Sequence, residues 1–290
     1  MTDYALTLTN ISGRTLGPAS LALLPGEIAG LVGPAGAGKT RLLRVAAGAV
    51  RPKSGEVRVW GMRVTAPGAR HLLGYAGDNP TFPRALTVQE VLTYYARLHC
   101  AMSNERSPRG LVREAVEIGG LAAAADLRVD SLGRADLHRL SFAQAALGGR
   151  RVLLLDETLS GLDAFAGRDL RGRIARLAAE GVAVLITARD PAVLERLAAR
   201  VLVLRDGRIV RAGPLATLLG ERILEVFLDA PPAEPPPGFK VTATGLEAPL
   251  TGKTVEAALA LCRAHRLPVR ASRVRVKSLE EIVLESHDTR

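Results

Sequence analysis

The chain has 290 residues, 48% hydrophobic and 23% charged, which is enough for one large or two smaller globular domains with an ample core. Aromatic residues are only 3%, so the core must be mostly aliphatic. The balance of 39 basic against 29 acidic residues, net +10, suits nucleotide, anionic lipid or nucleic acid, or a merely Arg-rich solvated surface. The longest run free of polar side chains, 28–38, falls far short of the ~18 residues a membrane span needs, so any membrane role runs through a partner. Residues 1–10 lack a signal-peptide core. Cys100 and Cys262 match no metal or redox spacing, so a reducing compartment is expected.

In chain order, 4–10 alternate like an edge strand, 12–18 read as a turn-rich connection and 21–24 as a second short strand. Pro25-Gly26-Glu27 turns tightly into 28–32, a short buried strand. That strand runs into Gly33-Pro34-Ala35-Gly36-Ala37-Gly38-Lys39-Thr40, which fits G-x-x-x-x-G-K-[ST], and a helix is expected over 41–47. The glycines let successive backbone N–H groups wrap a phosphate chain, Lys39 reaches the terminal phosphates, and the Thr40 hydroxyl is placed to hold Mg²⁺. The helix behind adds the positive end of its dipole. A chance glycine-rich turn is the plain alternative, and the flanking strand and helix weigh against it.

Residues 55–60 read as a strand, and 74–76 as a short strand followed by a loop over 77–84. Thr87-Val88-Gln89-Glu90 is a capping box that opens a helix to about residue 99. A polar loop is expected over 102–109, then helices over 111–118, stopped by Gly119-Gly120, and 136–147. The middle of the chain is therefore a helical insert between strand-rich halves. Residues 152–157 form an apolar strand ending in Asp156 and Glu157, and such strand ends line the ligand crevice of parallel α/β sheets. Asp156 can hold Mg²⁺ and Glu157 can act as general base toward an attacking water. A simple strand-end turn is the bland reading; the phosphate loop upstream and Ser160-Gly161-Leu162-Asp163 behind argue against it.

Further on, helices are expected over 170–179 and 192–199 and strands over 182–187 and 201–204, with Asp206-Gly207 as a hairpin turn into 208–212. Beyond 219 the character changes. A strand over 223–228 and a stiff, proline-rich connector over 231–238 lead to strand 239–244, helix 255–264, strand 268–276 and helix 279–284, a small α/β appendage.

The phosphate loop, the Asp156-Glu157 strand end and Ser160-Gly161-Leu162-Asp163, in this order, resemble the ATP-binding subunits of ABC transporters over residues 1 to about 218. The ending Ser278-Leu279-Glu280-Glu281-Ile282-Val283-Leu284 is similar to the tail of ATPases that serve ABC-2-type export systems. The resemblance implies an α/β P-loop NTPase domain of ABC type at 1–220, with its helical insert at about 84–147, and an accessory domain at 221–290. It implies ATP and Mg²⁺ as ligands, with Thr40, Asp156 and Asp78 as metal-binding oxygens and Lys39 and Glu157 as catalytic residues. It further implies two such subunits packed head to tail. Each ATP then lies between the phosphate loop of one subunit and the signature motif of the other, with Ser160, Gly161, Leu162 and Asp163 as the D-loop. Transmembrane permease subunits dock beside the helical insert, which puts the chain peripherally on the cytoplasmic face of the cell membrane; no nucleic acid is expected.

Departures from the family pattern bear on activity. The signature, L-S-G-G-Q or similar, falls at Leu132-Gly133-Arg134-Ala135-Asp136, without the serine hydroxyl and with Asp136 adding negative charge that Arg134 offsets. The proline after the strand-end glutamate is Thr158, the glutamine after the Tyr75 strand is Asp78, and the switch histidine is Arg189, which can grip a phosphate but cannot act as neutral imidazole. No aromatic stands between Asn10 and Leu16, where adenine usually stacks. Intact Glu157 favours an ATPase motor subunit. The degenerate 133–136 and Arg189 favour a weak or non-hydrolysing regulatory half of an asymmetric pair, with a heterodimer preferred over a homodimer. A soluble ABC protein of DNA repair or translation fits less well, since those carry paired ATPase domains or a long coiled-coil insert.

Overall fold

The computed structural model describes residues 4–103, 107–220, 222–232, 234–252 and 254–288. It divides into two compact units, Met1–Ala212 and Gly213–Arg290.

In the first unit β1 (Leu6–Gly13) and β2 (Leu16–Leu23) form a hairpin, followed by β3 (Ile28–Val32) and α1 (Lys39–Ala46). Next come β4 (Ser54–Val59), β5 (Met62–Arg63), α2 (Pro67–His71) and β6 (Leu73–Ala76). Three helices follow, α3 (Val88–Ser103), α4 (Pro108–Gly119) and α5 (Arg134–Ala146). The chain then returns through β7 (Val152–Leu155), α6 (Ala164–Ala179), β8 (Ala183–Thr187), α7 (Pro191–Glu195), β9 (Arg200–Arg205) and β10 (Arg208–Pro214).

Two sheets result, an antiparallel one in the order β2-β1-β4-β5 and a larger one in the order β10-β9-β3-β8-β7-β6. In the larger sheet β9, β3, β8, β7 and β6 run parallel, with Leu31 opposite Thr187, Leu155 opposite Ile186 and Ala76 opposite Leu155. The strands β3, β7 and β8 are buried at every residue, which is why they read as unbroken apolar runs rather than alternations. Leu42, Leu43, Val45 and Ala46 of α1 join one aliphatic core with side chains of both sheets.

The expected connection over 12–18 is mostly strand. Leu16, Ala19, Leu21 and Leu23 point inward at alternating positions, and Pro18 is exposed on β2, an edge strand, where a missing N–H costs no ladder bond. The capping box is made: Thr87 N donates to Glu90 Oε2 at 2.8 Å and Glu90 N to Thr87 Oγ1 at 3.2 Å. The insert has its own core, among Val88, Val91, Leu92, Leu111, Ala115, Leu140 and Ala143. The helix expected from 111 starts at Pro108 and ends on Gly120, which caps it in the left-handed conformation. Of the loop expected over 102–109, residues 104–106 lie outside the described residues. The helix expected from 170 already begins at Ala164, because the Asp163 side chain accepts from Phe165 N and Ala166 N, both at 2.9 Å. The helix expected over 192–199 is shorter, Pro191–Glu195.

The second unit holds α8 (Leu215–Leu219), β11 (Arg222–Leu228), β12 (Lys240–Thr242), β13 (Gly245–Pro249), α9 (Val255–Ala264), β14 (Val269–Val276) and α10 (Leu279–Asp288). Its sheet runs β12-β13-β11-β14, with the β11, β12 and β13 pairings and the β11–β14 pairing all antiparallel. The single strand expected at 239–244 is the first arm of a hairpin, with Thr242 opposite Gly245. Ala233 of the proline-rich connector lies outside the described residues. Arg275 reaches Glu225, Glu247 and Glu281, which ties β14 to β11, β13 and α10. Among the described residues no helix is long and apolar enough to cross a membrane.

Candidate functional site

The C-terminal ends of β3, β8, β7 and β6 lie side by side, so the loops after them meet at one edge of the parallel sheet. The loop after β3 is residues 33–38. Gly33 sits at φ 152°, and a Cβ there would stand 2.0 Å from the Leu204 carbonyl oxygen, so only glycine lets the loop leave the strand against β9. From the β9–β10 turn, Gly207 N donates to Ala37 O at 3.0 Å, and Gly207 O accepts from Gly17 N at 3.0 Å. The turn at Asp206-Gly207 thus braces the loop 33–38, a role its sequence as a hairpin turn does not reveal.

Lys39 is buried and folds back over the loop, donating from Nζ to Gly33 O at 2.7 Å and Pro34 O at 3.2 Å. Burial pushes its ammonium below the ordinary lysine range, against the pull of Glu157 and Asp156, and Arg189 adds to the lowering. A cation so placed, held by loop carbonyls, is ready to exchange them for phosphate oxygens.

Asp156 follows β7 and is fully buried. Its Oδ1 accepts from Thr40 Oγ1 at 3.2 Å and Thr187 Oγ1 at 2.9 Å, and its Oδ2 from Tyr75 OH at 3.3 Å. Burial and the neighbouring Asp156 charge raise the Tyr75 phenol above its ordinary range, so it stays a donor. Thr40 and Asp156 present hard oxygens side by side, a pair that fits Mg²⁺ completed by water and phosphate. Among the described residues no group of three His, Cys, Asp or Glu side chains gathers as a metal cage.

Glu157 is the next residue, almost buried, with a left-handed backbone at φ 54°. Its N–H donates to Thr187 Oγ1 at 2.9 Å, and its Oε2 accepts from Ser160 Oγ at 3.0 Å. The same oxygen lies 2.7 Å from Arg189 Nε, and Arg189 Nη2 lies 3.2 Å from Asp78 Oδ2. The structure therefore brings Lys39, Thr40, Asp156, Glu157, Ser160, Asp78 and Arg189 into one cluster. Thr187 and Tyr75 belong to it as well; each is unremarkable in sequence, being simply part of a strand. Thr158, beside them, is fully buried, and its hydroxyl has no hydrogen-bond partner among the described residues.

The segment Leu132-Gly133-Arg134-Ala135-Asp136 forms the start of α5, with Gly133 as its N-cap and no side-chain cap. The negative charge expected from Asp136 is offset by Arg139 at 3.2 Å rather than by Arg134. Arg139 also binds Asp169 at 3.0 Å, and Arg173 binds Asp169 at 3.0 Å and donates to Glu117 O at 2.8 Å, so a chain of charges links α5, α6 and α4. The Arg134 guanidinium instead stands over Gly161, where a Cβ would meet it at 2.7 Å. Leu162 and Asp163 complete that turn into α6.

The profile of the ABC transporter family matches residues 16–160. The chain is 35% identical over 201 residues to the ABC transporter ATP-binding protein YdbJ of Bacillus subtilis, covering 68% of this chain and 64% of that one. It is 31% identical over 214 residues to the Nod factor export ATP-binding protein I of Neorhizobium galegae, 72% of this chain and 61% of that one. It thus spans less than two thirds of the length of these two relatives. The ABC transporter ATP-binding protein YhcH of Bacillus subtilis is 28% identical over 289 residues, 95% of this chain and 92% of that one, so the match includes the second unit. Among solved structures, the dimeric ATP-binding cassette MJ0796 bound to ADP and Pi superposes with TM-score 0.65 at 20% identity, over 72% of this chain and 98% of that one, and shares its fold.

Proposed function

The chain belongs to the ABC transporter family, and we propose that it is the ATP-binding subunit of a membrane transporter, with the nucleotide phosphates seated on residues 33–40. The observation that carries this reading is the meeting of the β3 and β7 strand ends, where the Thr40 hydroxyl lies 3.2 Å from Asp156 and Lys39, folded back over the loop, feels the charges of Glu157 and Asp156. Lys39 grips the terminal phosphates. Thr40 and Asp156 are the oxygens that fit Mg²⁺, which when bound draws charge off the phosphate oxygens. Asp78 joins that shell only if Arg189 lets it go. Glu157, held by Thr187 and Ser160, takes a proton from water.

Transmembrane permease subunits and a second ATP-binding subunit complete the machine, on the cytoplasmic face of the membrane. The Nod factor export relative supports outward transport. Residues 221–290 are assigned to an accessory domain and residues 1–220 to the ATP-binding domain. Because residues 133–136 bring no hydroxyl to the facing subunit's phosphate, a heteromer with an intact second subunit is favoured. In that pair this chain's own loop is the competent one, and alone the chain turns over slowly.

The experiment is nucleotide titration and phosphate release for wild type and Lys39→Ala, then ATPase rates for the chain alone and with a second ATP-binding subunit, each with Glu157→Gln as control. Lys39→Ala weakens MgATP binding or turnover at least roughly tenfold, about 1.4 kcal/mol. Equal affinity and turnover would remove the phosphate-loop role. Brisk hydrolysis dependent on Glu157 by the chain alone would remove the asymmetric reading.

A further inference from the structure

Arg189 makes a contact that none of its sequence neighbours foretells. It follows β8 in a short loop whose far side is fixed, since Asp190 caps α7 by accepting from Ala192 N at 2.9 Å and Pro191 opens the helix. Its side chain is 67% exposed, yet the guanidinium closes over two carboxylates from different strand ends: Glu157, 9% exposed, at 2.7 Å, and Asp78, 27% exposed, at 3.2 Å. Arg189 thus covers the carboxylate oxygen that Ser160 also binds, Glu157 Oε2.

Two features of this contact matter for a phosphate ligand. An ion pair to a largely exposed guanidinium is weak, so a competing anion can open it. And the contact sits beside the loop: Arg189 Nε lies 2.7 Å from Glu157, the residue after Asp156, whose carboxylate accepts from Thr40 of the loop at 3.2 Å, so an anion seated on the loop arrives beside Arg189. A terminal phosphate offers three oxygens and about two negative charges, a better partner for a forked guanidinium than one oxygen from each of two carboxylates.

We propose that Arg189 is a nucleotide-released clamp: without nucleotide it holds Glu157 and Asp78 together, and a terminal phosphate on Lys39 draws it off both. The proposal rests on the reading of residues 33–40 as a phosphate loop. Its consequence is that the general base is uncovered by the ligand it acts on. Asp78 and the phosphate compete for one guanidinium, so Asp78 restrains triphosphate binding. A diphosphate, which lacks the terminal group, leaves the clamp closed.

The test is equilibrium titration of ATP and ADP in EDTA, which takes any metal role of Asp78 out of the comparison. Wild type, Asp78→Asn, Arg189→Gln and the double variant are compared. Asp78→Asn tightens ATP roughly threefold or more and leaves ADP unchanged; Arg189→Gln lowers the preference for ATP over ADP roughly tenfold. In the Arg189→Gln background the gain from Asp78→Asn shrinks below about twofold, the sign of coupling between the two residues. An equal gain from Asp78→Asn in both backgrounds, or an unchanged ATP over ADP preference in Arg189→Gln, would overturn the clamp. Lys39→Ala, run in parallel, separates the two readings: if it leaves both nucleotides bound as before, the phosphate loop fails; if it abolishes both while the coupling is absent, only the clamp fails.

Discussion

Replacing Thr187 by valine removes one hydroxyl and keeps the shape of a fully buried side chain. That hydroxyl donates to Asp156 Oδ1 at 2.9 Å and accepts from Glu157 N at 2.9 Å, so it joins the buried carboxylate at the end of β7 to the residue held at φ 54°. A non-glycine residue keeps such a backbone only where its surroundings enforce it. Thr187→Val leaves one buried N–H unpaired, at a cost of about 1–3 kcal/mol, and takes a donor from a buried carboxylate, worth about 1.5–3 kcal/mol. Thr40 and Tyr75 still serve Asp156, at 3.2 and 3.3 Å, so the low ends of both ranges apply and a loss of about 2–4 kcal/mol is expected. The chain's only tryptophan, Trp60, lies in the first unit beneath the Arg151 guanidinium, 3.7 Å from its ring centre. Its fluorescence therefore reports unfolding of that unit. With a urea slope of about 3 kcal/mol per molar, the midpoint falls by about 1 M. A midpoint moved by less than about 0.2 M would refute the reasoning, for it would mean that Thr187 does not bear the bonds assigned to it.

Two further perturbations probe charge networks. Arg173, then Arg139, holds the Asp169 carboxyl below its ordinary value of 3.8, against a smaller desolvation effect. Its contribution is therefore present above that pH and lost as pH falls through the lower folded value, so Asp169→Asn flattens the acid limb of the first unit's urea stability measured by Trp60; an unaltered acid limb would count against the α5–α6 link. In the second unit, Arg275→Met leaves Glu225, Glu247 and Glu281 without their shared cation, a loss of about 1–3 kcal/mol once partial exposure is allowed for. Cys262 is fully buried in that unit's core, so in a Cys100→Ser background its thiol labelling rate reports opening and rises roughly tenfold or more; an unchanged rate would show the cluster to be ornamental.

How much of this was legible in sequence follows from distance along the chain. The phosphate loop is local: eight consecutive residues fix it, and β3 and α1 stand where the flanking pattern put them. The capping box at Thr87 and Glu90 is local too. Asp156-Glu157 is readable as a strand end because Val152 to Leu155 is an unbroken apolar run. The pairing of Arg189 with Glu157 and Asp78 is not readable, because it depends on β6, β7 and β8 being neighbours in the sheet, a strand order that no stretch of sequence states. Thr187 is hidden for the same reason: the register of β8 against β7, with Leu155 opposite Ile186, sets its hydroxyl beside Asp156. A helix end is not legible where its cap lies outside the apolar pattern, as Asp163 does for α6.

The start of α5 changes the argument about the facing subunit. Read as sequence, Asp136 puts a carboxylate where a phosphate of the second subunit would lie, so repulsion is part of the defect. In the structure Asp136 is paired with Arg139, which Asp169 also holds, so that charge is turned along the helix rather than outward. What the segment offers instead is the Arg134 guanidinium over Gly161 and a helix N-terminus whose first N–H groups have no side-chain cap. Both are positive. The defect is therefore the missing hydroxyl alone, and the segment can attract a phosphate without positioning it. Attraction without positioning lowers the energy of bound nucleotide and transition state alike, which favours closure of a pair over turnover in the site facing it. That is the behaviour which the proposed asymmetric pair asks of this subunit, with the chemistry on its own loop and its partner-facing end serving to hold.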